Sequence, residues 1–157
     1  MSTLQTATVT DAQLVLQLYD LRRESEMRKA RNFFLSLFPQ TADDVLKVFY
    51  AFGSQENAWL RQVISYWDMV ASLVLRGAFH EGLCYDTCAE MWVVLVKLKP
   101  FAKELREKLQ APEFLTKIEQ VAEATPEGRA RLQSMKQRFA EVAKMRAASA
   151  AKSSAAD

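Results

Sequence analysis

The chain has 157 residues, half of them apolar and a quarter charged, which is the make-up of one globular domain and excludes a disordered chain. A domain of that size buries roughly two-thirds of its unfolded surface, so folding requires neither disulfide nor metal. The net charge of +2 is uneven: residues 1–124 hold 14 Lys/Arg against 16 Asp/Glu and residues 125–157 hold 7 against 3, so any pull on nucleic acid or acidic lipid falls to the C-terminal segment.

With only four glycines and four prolines, the sequence predicts long helices joined by few turns. The opening MSTLQTATVT has neither the basic start nor the apolar run of a signal peptide, and residues 1–10 read as a flexible N-terminus. Thr10 and Gln13 offer a capping box. From there Leu14, Leu18, Leu21, Met27, Ala30, Phe34 and Phe38 recur near helical spacing up to Pro39, with a kink expected in the polar run RRESEMRKAR at 22–31. TADD at 41–44 starts a short helix stopped by Gly53. SQEN at 54–57 opens a third, whose apolar stripe runs through Leu60, Val63, Ile64, Trp67, Val70, Ala71 and Val74 to Gly77. Thr87 and Glu90 form a second capping-box candidate, ahead of EMWVVLVKLK, where Lys97 and Lys99 interrupt the apolar run. Pro100 kinks or breaks that helix, and Pro112 and Thr125–Pro126 start two more. Nothing alternates like a strand. The fold expected is an all-α, single-domain helical bundle of five to seven helices: a core over 11–124, a basic amphipathic helix over 125–146 and a frayed or disordered tail over 147–157.

HEGLCYDTC, residues 80–88, holds the only histidine and both cysteines, spaced four apart. On one continuous helix His80, Cys84 and Cys88 would converge, and imidazole with thiolates suits zinc. Gly82 and the helix-start pattern Asp86–Thr87–x–x–Glu90 argue instead for a turn, and no second cysteine pair supplies the missing ligands. The expectation is a corner with Leu83, Cys84 and Cys88 inward, His80 at the rim, no metal and no cofactor. Pairing His80 with Ser65 or Ser72 and Asp68 would make a hydrolase, but no nucleophile elbow is present, so no catalytic residue is assigned.

The densest amphipathic set is WLRQVISYWD, residues 59–68. Arg61 and Asp68 lie two turns apart on one face, where they line a ligand pocket or pair with charges of neighbouring helices, Arg28, Arg31 and Glu90 being available. The candidate ligand set is Arg61, Trp67, Asp68, His80, Glu81 and Tyr85. Residues 42–62 have the outline of a helix-turn-helix, but Arg61 is the one basic residue of its second helix, a poor face for phosphate, so nucleic acid is not an expected partner. In the basic C-terminal helix, Leu132, Met135, Phe139 and Val142 make a three-four stripe that packs on the core or pairs with a partner or second copy.

LYDLRRESEMRKAR (18–31), WLRQVISYWDMVASLVLRG (59–77) and LKPFAKELREKL (98–109) resemble a family of uncharacterised short bacterial all-helical proteins, over most of residues 11–124. The resemblance implies an all-helical cytoplasmic or membrane-peripheral domain and brings no functional residues with it. The reading that follows is a cytoplasmic, non-enzymatic interaction module, self-associating or holding a protein partner through 132–142. The alternative is a small-molecule-binding protein or enzyme with a polar pocket around Arg61, Asp68 and His80. No apolar stretch reaches the roughly 18–20 residues of a membrane span.

Overall fold

Thr8, not Thr10, opens the first helix. Its hydroxyl accepts from the Asp11 backbone N–H at 3.1 Å while the Asp11 carboxylate takes the Thr8 N–H at 2.8 Å, a reciprocal box in which Gln13, two residues farther on, has no part. The computed structural model describes residues 6–154, so the outermost parts of the expected flexible N-terminus and tail lie outside the described residues. Among those described, the chain is all-α, and its helices outnumber the five to seven expected because several long periodic runs are interrupted. The first run divides at Glu24, whose backbone is extended (ψ 143°), into α1 (Val9–Arg23) and α2 (Ser25–Ser36). The Glu24 carboxylate then caps α2 by accepting from the Met27 N–H at 2.9 Å.

Thr41 and Ser54 cap α3 (Ala42–Tyr50) and α4 (Gln55–Leu75) as the sequence indicates, and Gly77 follows α4 with a φ of 70° that favours glycine. Residues 80–88, expected as a turn, instead form a short helix of their own, α5 (Glu81–Thr87). Thr87 does not cap the next helix, α6 (Glu90–Leu98). Its hydroxyl donates back to Leu83 O at 2.6 Å, and Ala89 precedes α6 without a side-chain cap. At Pro100 a 3-10 turn (Lys99–Phe101) joins α6 to α7 (Ala102–Lys108). Pro112 leads only into turns: α8 (Thr116–Glu123) starts four residues later, after Leu115 at φ 65°. Thr125 and Pro126 start α9, which runs from Pro126 to Ser154.

The long α4 lies at the centre, with α2, α3 and α8 against it; α6 packs on α8 and α9, and α1 lies across α2 and α5. Trp67, Trp92, Phe34, Leu60, Leu95 and Ile118 are fully buried between them. α9 is pinned at its start. The Trp92 indole donates to Gly128 O at 3.1 Å, Arg131 bonds Tyr85 O, and a Cβ on Gly128 would come within 2.3 Å of Ala122 O, so only glycine permits this approach. Farther along, Leu132 is buried, Met135 and Phe139 pack against the core, Phe139 stacks on Phe38 with centroids 4.9 Å apart, and Val142 is exposed.

The end of α2 carries the most demanding polar contact. Its last carbonyls point into the interior, where unpaired they would cost 1–3 kcal/mol each, order of magnitude about. Lys97, 3% exposed, meets three of them: Nζ donates to Phe34 O at 2.7 Å, Leu35 O at 2.8 Å and Leu37 O at 2.7 Å. The rings of Phe34, Phe38 and Phe139 surround the ammonium, with centroids 5.2, 4.6 and 5.0 Å away. An equivalent device closes α3. Buried Asn57 donates to Val48 O at 3.1 Å and Phe49 O at 2.7 Å, and Arg61 Nε donates to its carbonyl oxygen at 3.1 Å.

Burial, with the like charge of Arg146 second, pushes the Lys97 ammonium down to about 8 from an ordinary 10.5. Between those values the unfolded chain holds a proton that the folded chain has released, so this residue's contribution to stability rises with pH across the window. Lys97→Met is expected to lower the urea-unfolding free energy at pH 7 by about 2 kcal/mol, through carbonyls left unpaired. The gap between wild type and variant should then widen by about 1–3 kcal/mol from pH 8 to 10; a gap that stays flat or narrows contradicts the assignment.

Candidate functional site

A cleft of about 610 Å³ opens where the start of α1, the end of α4, the start of α5 and the α8–α9 junction meet. Thr8, Asp11, His80, Glu81, Tyr85 and Thr125 line it. Asp11 builds one wall: besides closing its own capping box it accepts the His80 backbone N–H on Oδ1 at 2.9 Å, tying the starts of α1 and α5 together. The Thr8 hydroxyl and backbone, followed by the His80 N–H, hold its carboxyl below the usual range. His80 precedes α5 and folds back over it, its Nδ1 accepting the Leu83 N–H at 3.2 Å. That role puts the acceptor lone pair on Nδ1. Glycine at 82 is what allows the ring there, because a Cβ would sit 2.9 Å from His80 Cε1.

Tyr85 forms the floor. Its hydroxyl donates to Val121 O at 2.9 Å, accepts from Thr125 Oγ1 at 3.0 Å and lies 3.5 Å from Glu81 Oε1. Burial, ahead of the neighbouring charges, pushes this phenol above its ordinary pKa. The cleft therefore joins three of the six candidate ligand residues, His80, Glu81 and Tyr85, along the first turns of α5. The other three lie elsewhere. Arg61 holds Asn57, Asp68 receives Lys117 Nζ at 2.7 Å, and Trp67 is wholly buried, its ring edge-on to Tyr66 at 4.9 Å and under the Arg22 guanidinium at 5.5 Å. The neighbours proposed for Arg61 and Asp68 serve one another instead: Arg31 makes a bidentate pair with Glu90, Nε to Oε1 at 3.0 Å and Nη2 to Oε2 at 2.8 Å.

Cys84 and Cys88 are free and buried one turn apart. The Cys84 thiol hydrogen-bonds Cys88, and this, with the Thr87 hydroxyl 3.5 Å away and the charge of Arg22, draws the Cys88 thiol down while Cys84 is pushed up. Among the described residues, no three His, Cys, Asp or Glu side chains are grouped to hold a metal, and no helix is long and apolar enough to cross a membrane.

Residues 7–125 match a family model described as a domain of unknown function, DUF4760. The chain belongs to that family. No curated protein and no solved structure matches it. The match stops where α9 begins, so the helix pinned by Trp92, Tyr85 and Arg131 lies beyond the part shared with the family.

Sequence reasoning gave no bonding role to Lys97, Asn57 or Asp11, and read Thr125 only as part of a helix start. A lysine inside MWVVLVKL was the available signal, since a cation in an otherwise buried helix must find carbonyls or carboxylates. The geometry of the α5 start leads to a test by double mutant. His80→Ala and Gly82→Ala are each expected to cost about 1 kcal/mol, through the same lost cap. Together they should cost little more than either alone. Full additivity in urea titrations would show that the two residues act separately.

Proposed function

We propose that this chain is a non-enzymatic interaction module: a helical bundle whose docking face is the outer side of α1. One observation carries the reading. α1 is apolar on two opposite faces. Its inner face, Leu14, Val15 and Leu18, packs on the core, while Val9, Leu16 and Tyr19 on the outer face are 77%, 68% and 51% exposed. A helix apolar on both sides belongs between two packed layers, and the described residues supply only one of them. The stripe at Leu132, Met135 and Phe139 packs on the chain's own core, so the docking face is assigned to α1 in preference to it. The conspicuous polar side chains also support a non-catalytic role. Lys97, Asn57, Tyr66 and Trp92 are spent on backbone carbonyls, and Arg31 on Glu90.

The test is a photo-crosslinking amino acid placed at Leu16 in the source cell, with Arg138 on α9 as control. A discrete protein adduct at Leu16 and none at Arg138 is expected; no adduct at Leu16 would remove the reading.

The cleft at α5 supports a second reading, a site for a small uncharged or cationic molecule. Asp11, Glu81 and Glu127 line it, and no Lys or Arg does. Screening a library of small amines and polyols by NMR should move the Gly82 and Tyr85 amide signals ahead of all others. If no compound does so at millimolar concentration, this second reading is discarded.

A further inference from the structure

The outer stripe of α1 has a spacing and a size pattern that select its own copy. Val9, Ala12, Leu16 and Tyr19 follow three-four-three steps, the a and d positions of one and a half heptads, and all four are exposed. In an antiparallel pair of helices, a positions face d positions of the other chain. Centring such a pair at Leu14 sets Ala12 against Leu16 of the second copy, Leu16 against its Ala12, and Val9 against its Tyr19. Each large side chain then meets a small or medium one, twice over, around one two-fold axis. A parallel pair would instead oppose Leu16 to Leu16 and leave Ala12 facing Ala12, with a gap.

Charge points the same way. From Val9 to Tyr19 the exposed residues are Val9, Thr10, Ala12, Gln13, Leu16, Gln17 and Tyr19, with no charge among them, although a quarter of the chain is charged. Asp11, the one charged residue in that span, faces Thr8 and His80. Identical copies bring identical charges, so a stretch that meets itself is served by having none; the nearest cations, Arg22 and Arg23, lie 5.6 and 5.5 Å from the Tyr19 ring centroid at the end of α1, at the rim of the pairing. At the rim, Asp20 would lie beside the N-terminus of α1 of the second copy, where a carboxylate is favoured by the helix dipole.

We infer that α1 pairs antiparallel with α1 of a second copy of this chain, making the protein an isologous dimer through Val9, Ala12, Leu16 and Tyr19. This rests on the docking-face reading above and names its partner. Three large side chains per copy fall short of the 2,000 Å² or more, order of magnitude about, of an obligate dimer, so a dissociation constant on the order of 10–100 µM is expected.

Light scattering and sedimentation of the purified full chain, up to about 1 mM, should show a mass rising with concentration from 17.9 kDa towards twice that value. Leu16→Asp should weaken association by roughly 100-fold or more. Ala12→Gln, which keeps a good helix former at an exposed position, should also abolish the close approach while circular dichroism stays unchanged. Orientation is read by mixing Val9→Cys chains with Tyr19→Cys chains under oxidised glutathione: a mixed disulfide dimer is expected, and little dimer from Val9→Cys alone. A wild type that stays monomeric overturns the dimer while leaving the docking face to any heterologous adduct at Leu16. Association that survives Leu16→Asp places the interface elsewhere, and a Val9–Val9 disulfide as the main product overturns the antiparallel pairing.

Discussion

A lysine ammonium closing the end of a helix inside the protein sets the conditions for much of the rest. α2 ends with its carbonyls facing inward, and Lys97 brings donors to three of them, of which Phe34 O also accepts the Leu37 N–H at 3.2 Å. The cation must be brought by α6, so α2 and α6 are held at one distance and one rotation. The aromatic lining follows: Phe34 and Phe38 come from α2 and the segment after it, and Phe139 comes from α9, so the helix beyond the family match also depends on this charge. An apolar residue at 97 would bury more easily but would leave the helix end unsolved.

Much of the polar inventory works in the same manner. Asn57 closes α3, the Arg106 guanidinium takes Phe114 O at 2.9 Å ahead of α8, the Tyr85 hydroxyl takes Val121 O near the end of α8, and the Tyr66 hydroxyl takes Leu18 O at 2.8 Å in α1. A chain made of many short helices has many ends, and each end near the core needs a donor or acceptor brought from elsewhere in the fold. This explains why so many side chains of the kind used in catalysis are present and engaged. It also separates the two surfaces of interest: the α5 cleft keeps carboxylates and a phenol within a polar recess, whereas the exposed residues of α1 from Val9 to Tyr19 are apolar or neutral.

The legible and illegible parts divide by range. Thr41 and Ser54 were readable as caps because the groups they bond lie within three residues. Thr10 with Gln13 was the expected first cap, and Thr8 takes that place because Asp11, three residues on, closes its box and also accepts the His80 N–H. The break at Glu24 falls inside the polar run 22–31 where a kink was expected, although no glycine or proline marks the residue itself. The corner expected at 80–88 does turn the chain and does bury both cysteines, yet it does so as a helix, since Gly82 is tolerated there for the sake of the His80 ring. Of the six candidate ligand residues, the three near one another in sequence share a cleft and the three more distant do not, because Asp68 found Lys117 and Arg61 found Asn57.

What the sequence determined by itself is the helical class, the helix starts at Thr41, Ser54 and Thr125–Pro126 and the apolar faces, since these depend on spacing and on bonds between near neighbours. It also carries two apolar stripes, on α1 and on α9, of similar pattern. Only the tertiary structure decided which of them is buried: α9 turns Leu132, Met135 and Phe139 onto the core, and α1, already packed on its other side, leaves Val9, Leu16 and Tyr19 outside. Periodicity tells that a face is apolar and is silent on what covers it. That is settled by which helix ends must be closed, and by which distant side chains can reach them.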